Sequence, residues 1–210
     1  MTSSIRRILM TGATGYVADQ MLPTFKEKYE TVLVDTRTEN RRGEKVENVN
    51  VVDLIDPDTN SYKELFADVD AVIHLAYKRR SGDPLEHFYD EKENVEMAYN
   101  VFRSAYEAGV KRVVMASSNH AADWYEHALI HNRKIEIVEP YNIPLSDNFY
   151  GWAKATYEHL GFLFAAGGLG EGVDGASGNL VEGNLGNGRK MGVVMVRIGA
   201  PRVLDKNLYL

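Results

Sequence analysis

The stretch TGATGYVA, residues 11–18, places two glycines, Gly12 and Gly15, between a predicted strand and a predicted helix. Gly12 permits the tight turn that leaves the strand, and Gly15 lets the backbone approach a pyrophosphate at the helix N-terminus. The third glycine position of this fingerprint is Ala18, a residue that also permits close packing of helix on strand. An isolated motif of this kind also fits a turn without a ligand. The flanking sequence must therefore decide between the two interpretations.

Around this motif, apolar runs alternate with longer amphipathic segments, a pattern that is typical of strand and helix units wound into a parallel sheet. Apolar runs such as RVVMA, residues 112–116, favour a sheet that helices cover on both faces. We therefore predict an α/β fold, a doubly wound parallel sheet of three layers (Rossmann fold), as a single domain over residues 1–210. The predicted strands are 6–12, 31–35, 49–53, 71–76, 111–117 and 192–199, and the predicted helices are 15–28, 58–67, 86–108 and 150–166.

Two regions depart from this alternation. Residues 119–148 are polar and contain Pro140 and Pro144, which predicts a loop or short lid after the fifth strand. Residues 165–190 are rich in glycine but are not flanked by a strand that ends in a lysine-bearing phosphate-binding loop, which favours a flexible insertion.

Composition limits the function classes. The chain of 210 residues is 44% apolar and carries a net charge of -6, so it lacks the basic surface that nucleic acids or anionic membranes require. It contains no cysteine, which excludes disulfides and thiolate chemistry, and it contains no apolar run long enough to span a bilayer. We predict a cytoplasmic protein with a small-molecule ligand, no nucleic-acid or membrane partner and no metal site.

The second and third predicted strands end in acidic residues. Asp35 follows Gly12 by 23 residues, near the spacing at which a carboxylate accepts a hydrogen bond from an adenosine ribose. Since such a carboxylate repels a 2'-phosphate, NAD is favoured over NADP, although Arg37 offers a phosphate partner. Asp53 either binds the adenine or serves as a turn residue. The predicted cofactor contacts are Gly12, Thr14, Gly15, Tyr16, Val17, Asp35, Asp53, Leu54, Leu75, Ala76, Tyr150 and Lys154.

Ligands of open parallel sheets lie beyond the carboxyl ends of the strands, so the segments after the fourth and fifth strands are expected to contribute to the site. His74 lies in an apolar run and is interpreted as structural. Lys78, Arg79 and Arg80 follow that strand as three adjacent cations, which either hold a substrate phosphate or carboxylate or form a solvated turn. Arg79 is taken as the substrate-binding residue.

Ser118, Asn119 and His120 leave the fifth strand together and offer a hydroxyl, an amide and an imidazole to the same crevice. Such a set can orient a polyhydroxylated substrate, although Ser and Asn also cap loops. In YGWAK, residues 150–154, Tyr150 and Lys154 share a helix face. A nearby ammonium, helped by the positive charge of a bound nicotinamide, lowers the pKa of a tyrosine toward neutrality, which would make Tyr150 a proton acceptor.

These motifs, in this order, resemble the extended short-chain dehydrogenase/reductase superfamily, also called the NAD-dependent epimerase/dehydratase family. The resemblance rests on TGATGYVA, Asp35, Asp53, HLA at 74–76, Asn94, ASSNH at 116–120 and YGWAK, and covers roughly residues 6–200. It implies NAD as cofactor and Ser118, Tyr150 and Lys154 as catalytic residues. Asn94 matches a structural or relay asparagine.

Within the superfamily, the ASSNH form is similar to uronate dehydrogenases and related sugar dehydrogenases. This resemblance implies oxidation of a cyclic sugar, sugar acid or sugar phosphate at its anomeric carbon to a lactone, with Ser118, Asn119 and His120 binding the substrate. A nucleotide-sugar epimerase or dehydratase that retains its NAD, and a non-catalytic nucleotide-binding regulator, are the alternatives.

The chain departs from the family pattern at two points, and the resemblance also implies an oligomeric state. Asp123 stands where a glycine is common. The chain stops eleven residues after Gly199, so little or no C-terminal substrate lobe is expected; the lobe is rudimentary, the sequence is incomplete, or catalysis is lost. The family's dimers, packed through the helices predicted at 86–108 and 150–166, imply a homodimer. Candidate interface residues are Val95, Tyr99, Phe102, Leu160 and Phe164.

Overall fold

Six parallel strands form the sheet, as predicted. The computed structural model describes residues 6–166 and 191–199. The strands are β1 Arg7–Thr11, β2 Glu30–Asp35, β3 Val49–Val51, β4 Ala71–His74, β5 Arg112–Ser118 and β6 Gly192–Ile198. Their order in the sheet is β3-β2-β1-β4-β5-β6. The order reverses between β1 and β4, which creates the crevice in which doubly wound sheets bind ligands.

Helices cover both faces of this sheet. They are α1 Tyr16–Lys28, α2 His87–Glu107, the short α3 Asp123–Tyr125 and α4 Phe149–Ala166. One core cluster packs α1 on the sheet through residues such as Ala18 and Leu22, and the second packs α2 and α4 on the opposite face through Phe102 and Phe164. The predicted three-layer α/β Rossmann fold is confirmed.

Two predicted segments differ from what the structure contains. Residues 58–67 are not one helix but two 3-10 turns, Thr59–Ser61 and Lys63–Phe66. The Asp58 side chain accepts a hydrogen bond from Asn60 N, and this local bond favours a tight turn over a longer helix. The segment 119–148 is not simply a loop, because Asn119–Ala122 forms a 3-10 turn, α3 follows, and Glu126–Ile130 forms a π-helical turn.

Residues 165 and 166 belong to α4, and the rest of the predicted glycine-rich insertion lies outside the described residues. Among the described residues, no helix is long and apolar enough to cross a membrane. Residues 6–166 and 191–199 also contain no cluster of acidic and histidine side chains able to hold a metal ion.

The helix residues considered for a dimer divide between the core and the surface. Phe102 and Phe164 are buried and stack with ring centroids 5.2 Å apart, so they pack within the monomer. Val95 and Leu160 pack partly against the same core. Tyr99 is 42% exposed and remains available to a partner.

Candidate active site

A long cleft of about 1540 Å³ runs across the carboxyl ends of the strands. It lies at the reversal of strand order between β1 and β4. Of the predicted site residues, only Thr14 and Asn119 are absent from its walls. Those that line it are Gly12, Gly15, Tyr16, Val17, Asp35, Asp53, Leu54, Leu75, Ala76, Arg79, Ser118, His120, Tyr150 and Lys154.

The glycine turn at the start of α1 forms one wall of this cleft. Gly12 has a φ of +68°, and a Cβ on it would lie 2.6 Å from the backbone nitrogen of Ala76, so only glycine fits between β1 and the end of β4. No side chain caps the N-terminus of α1 at Gly15. The first amides of this 13-residue helix thus face the cleft with the positive end of the helix dipole, a fit for a pyrophosphate.

Asp35, at the end of β2, is held in place by Thr14. The Thr14 backbone nitrogen and Oγ1 donate to Asp35 Oδ2 at 2.9 and 2.8 Å, and Thr36 N donates to Oδ1 at 2.7 Å. Thr14 is 1% exposed, so it orients the carboxylate from the interior of the protein rather than from the cleft surface. A carboxylate oxygen can accept more than one hydrogen bond, so Asp35 can still accept one from a ribose hydroxyl.

Two further features mark the adenosine end of the cleft. Asp53 Oδ1 accepts from Ile55 N at 2.9 Å, which supports its role as a turn residue while it also lines the cleft beside buried Leu54. Arg37 Nε donates to Thr14 Oγ1 at 3.1 Å, and the Arg41 guanidinium lies 5.7 Å from the centre of the Tyr16 ring. Arg37 and Arg41 therefore line the same cleft as Asp35, whose carboxylate is the expected acceptor for the ribose hydroxyl.

At the other end of the cleft, β5 and α4 bring Ser118, Tyr150 and Lys154 together. Ser118 is 3% exposed, and its Oγ accepts a hydrogen bond from His120 N at 3.2 Å. Lys154 Nζ donates to the carbonyl oxygen of Ala116 in β5 at 3.0 Å. All three side chains line the cleft that also holds the glycine turn.

Lys154 is enclosed by aromatic rings. Its Nζ lies 5.3, 5.6 and 4.6 Å from the ring centres of Tyr77, Tyr150 and Tyr157, respectively. Burial lowers the pKa of this ammonium from 10.5 to about 8, an effect that buried Glu91 opposes. Burial therefore makes the charged form of Lys154 less stable than it is in water, and the hydrogen bond to Ala116 fixes the position of its Nζ.

In the protein alone, without the charge of a nicotinamide, the pKa of Tyr150 is raised. Burial of the phenol is the main cause, and the neighbouring Ser118 hydroxyl and the Arg80 charge act in the opposite direction. The proximity of Lys154 does not overcome desolvation. Additional positive charge in the cleft would lower the pKa of Tyr150 again.

The three adjacent cations after β4 have different surroundings. Lys78 forms an ion pair with Glu93, and Arg79 lines the cleft. Arg80 has its guanidinium carbon 5.5 Å from the centre of the Tyr150 ring and its Nε 3.5 Å from Glu91 Oε1. Arg80, rather than Arg79, is therefore the cation with a defined position next to the tyrosine.

A buried carboxylate anchors this turn. Glu91 is fully buried, accepts a hydrogen bond from the Tyr77 hydroxyl at 2.7 Å, and has its pKa raised by burial. Asn94 accepts from Lys78 N at 2.8 Å and donates to Lys78 O at 2.9 Å, so it clamps the backbone of the turn. The matched asparagine thus has a structural position in this chain.

The two histidines near the strand ends have different positions. His74 is 1% exposed, its Nδ1 lies 2.7 Å from Thr11 Oγ1, and burial lowers its pKa to about 3, in agreement with the structural interpretation. The His120 ring lines the cleft, 5.4 Å from the Tyr150 ring centre, whereas Asn119 is exposed.

Sequence reasoning missed three features of this site. Glu91 lies on an amphipathic helix among other acids, and only its complete burial distinguishes it. Gly151, within YGWAK, marks a close approach of two backbone segments, because a Cβ there would lie 2.0 Å from the His120 carbonyl oxygen. The glycine itself was visible in the sequence, but its meaning was not. Asp123 departs from the glycine that is common at this position of the family, but its contact with His120 is visible only in three dimensions.

Comparison with known proteins is consistent with this cleft. The family model for the NAD-dependent epimerase/dehydratase family matches residues 8–170, most of the chain. The chain belongs to this family. Its members use the dinucleotide for which the glycine turn, Asp35 and the open end of α1 provide a site, so the predicted cofactor, NAD, is confirmed.

Individual relatives include sugar enzymes. The NAD-dependent glucose-6-phosphate dehydrogenase of Haloferax volcanii is 28% identical over 73% of this chain and 61% of its own length. A mutated uronate dehydrogenase superposes with a TM-score of 0.60 at 28% identity, over 77% of this chain and 54% of the other. UDP-galactose 4-epimerase superposes with a TM-score of 0.59 at 26% identity, over 76% and 51%. The chain spans about 60% of the length of the curated relatives it matches.

Proposed function

We propose that this protein is an NAD-dependent oxidoreductase that oxidises a sugar, sugar acid or sugar phosphate at its anomeric carbon to a lactone. The observation that carries the proposal is that Ser118, Tyr150 and Lys154 line the same cleft as the glycine turn and Asp35. The likeness to a glucose-6-phosphate dehydrogenase and a uronate dehydrogenase supports sugar oxidation over other chemistry.

In the proposed reaction, the phenolate form of Tyr150 takes the proton of the anomeric hydroxyl, and the carbon loses a hydride as its bond to oxygen becomes a carbonyl. The glycine turn and Asp35 would hold NAD, which would supply the hydride acceptor and a positive charge beside Tyr150. Lys154, anchored on Ala116, keeps a cation behind Tyr150, and Ser118 holds the reacting oxygen by a hydrogen bond. Proton and hydride are thus both accounted for.

Arg80 supports an acidic substrate. Its guanidinium lies against the Tyr150 ring, next to the proposed reaction centre, and a planar cation of this kind binds carboxylates and phosphates through paired hydrogen bonds. Arg79 lines the cleft nearby and remains the second candidate. We therefore rank uronates and sugar phosphates above neutral aldoses as substrates.

A nucleotide-sugar epimerase or dehydratase with retained NAD is the second candidate, because the family includes such enzymes and a UDP-galactose 4-epimerase shares the fold. A non-catalytic regulator that binds NAD is the third. The homodimer and the cytoplasmic location stay predictions.

One assay separates the three candidates. The purified chain is incubated with NAD and a panel of uronates, sugar phosphates, neutral aldoses and nucleotide sugars, while NADH absorbance and product composition are followed. Net NADH with a free sugar supports the proposal. Conversion of a nucleotide sugar without net NADH supports the epimerase instead, and NAD binding without turnover of any sugar supports the regulator.

A further inference from the structure

A second pair of hydrogen-bonded side chains lies beside Tyr150. Nδ1 of His120 is 2.5 Å from Oδ2 of Asp123, whose side chain is 5% exposed, whereas the His120 side chain is 51% exposed and lines the cleft. The buried carboxylate therefore holds Nδ1 and leaves Nε2 without a contact from Asp123, on a ring that lines the cleft.

The carboxylate is itself held by the start of α4. Asn148 Nδ2 donates to Asp123 Oδ2 at 2.9 Å, and Asn148 Oδ1 accepts from the Gly151 backbone nitrogen at 2.9 Å. Gly151 lies so close to the His120 carbonyl oxygen that a Cβ there would be only 2.0 Å away. His120 and Tyr150 are thus joined through Asp123 and Asn148 into one rigid unit.

We propose that Asp123 is a positioning residue that fixes the tautomer of His120 for substrate binding. A carboxylate accepts only, so in the neutral imidazole the proton must reside on Nδ1 and the lone pair on Nε2. His120 then accepts a hydrogen bond from a hydroxyl of the bound sugar and orients that sugar toward Tyr150. This inference rests on the proposed function, whose ligand is a polyhydroxylated molecule.

The same segment offers a matched control. His127 Nδ1 and Asp147 Oδ2 are also 2.5 Å apart, but both side chains are substantially exposed, and neither lines the cleft among the described residues. Because Asp147 Oδ1 also accepts from Asn148 Nδ2 at 3.0 Å, the control is His127→Ala, which removes the equal contact and leaves the bonds of Asn148 in place. Asp123→Asn is the conservative variant, because its amide oxygen can still accept from Nδ1–H.

The first test uses nitrogen NMR of the imidazole ring on the ¹⁵N-labelled protein without substrate. The His120 signals are assigned with a His120→Gln variant. We expect protonated Nδ1 and unprotonated Nε2 in the wild type and in Asp123→Asn, and a mixture of tautomers in Asp123→Ala. An unchanged tautomer in Asp123→Ala overturns the proposal, and this result does not depend on any enzymatic activity.

The second test is kinetic. Loss of one hydrogen bond to the sugar should raise the KM of Asp123→Ala about tenfold, with the Kd for NAD within about twofold of wild type. Asp123→Asn should recover most of the affinity, and His127→Ala should leave it unchanged. Equal effects in Asp123→Ala and His127→Ala refute a positioning role. If the wild type oxidises no sugar, the proposed function fails, and the NMR result alone decides the tautomer.

Discussion

Lys154 Nζ in α4 donates a hydrogen bond to the carbonyl oxygen of Ala116 in β5 at 3.0 Å. This bond fixes α4 on the strand that carries Ser118, and it does so with a cation buried among three tyrosine rings. The Lys154 ammonium is thus both the group that anchors α4 on β5 and a buried charge. Its effect on the free energy of unfolding can therefore be measured separately from turnover.

Stability should depend on pH through Lys154. Its pKa is lowered from 10.5 to about 8, so between these values the unfolded chain binds more protons than the folded one, and stability rises with pH. We expect the free energy of unfolding of wild type, relative to Lys154→Met, to rise by up to roughly 3 kcal/mol from about pH 7 to pH 10. Urea unfolding at several pH values measures this difference, and a constant difference would show that Lys154 is not desolvated.

Removal of the Tyr150 hydroxyl should abolish most turnover. In Tyr150→Phe we expect kcat to fall by about 10²–10⁴, since the proton acceptor is lost, while NAD binding is retained. Tyr157→Phe is the control, because its ring also contacts Lys154 but its buried hydroxyl has no hydrogen-bond partner among the described residues. Stopped-flow detection of NADH measures both variants, and equal rates for Tyr150→Phe and wild type would exclude the mechanism.

Asp35 should determine the choice between NAD and NADP. In Asp35→Ser we expect the Kd for NAD to rise about tenfold or more, because a hydrogen bond to a charged acceptor is lost. Binding of NADP should improve, since its phosphate would no longer meet a carboxylate and Arg37 lies nearby. Isothermal titration with both dinucleotides gives the ratio. Asp53→Asn, at the same cleft, should change that ratio little, and a shift of equal size there would contradict the assignment.

Arg80 should distinguish acidic from neutral sugars. In Arg80→Gln we expect kcat/KM for a uronate or sugar phosphate to fall about 10- to 100-fold relative to a neutral aldose, because a charged hydrogen bond is lost. Arg79→Gln is the matched control from the same turn and should have the smaller effect. If Arg79→Gln has the larger effect, the original assignment of Arg79 is correct and that of Arg80 is wrong.

The predicted homodimer should depend on the exposed faces of α2 and α4. Phe162 on α4 is apolar and 69% exposed, so the part of the chain that the structure describes leaves it largely uncovered. Phe162→Glu should shift the mass measured by light scattering from dimer to monomer, whereas Ile137→Glu, at a similarly exposed apolar residue in the 119–148 segment, should not. A wild type that is monomeric at all concentrations would refute the dimer.

Much of the architecture could be predicted because it depends on short-range patterns. The turn at Gly12, the acid at Asp35 and the apolar strands are determined by residues close together in sequence, and the observed sheet agrees with them. The error at 58–67 arose because side-chain bonds such as that of Asp58 compete locally with helix formation.

The site was only partly predictable, since burial and charge there depend on distant segments. YGWAK placed Tyr150 and Lys154 on one face of a helix, but the direction of the pKa of Tyr150 depends on desolvation by the assembled core. The choice of Arg80 over Arg79 rests on Glu91, eleven residues further along the chain and fully buried.

The sequence by itself therefore determined the fold, the cofactor and the residues that lie at the strand ends, because these follow from backbone geometry and periodicity. Only the tertiary structure decided which charges meet: Arg80 with Glu91 and Tyr150, and Asp123 with His120. The physical reason is that electrostatic interactions depend on distance and burial, which are set only when separate strands and helices pack together.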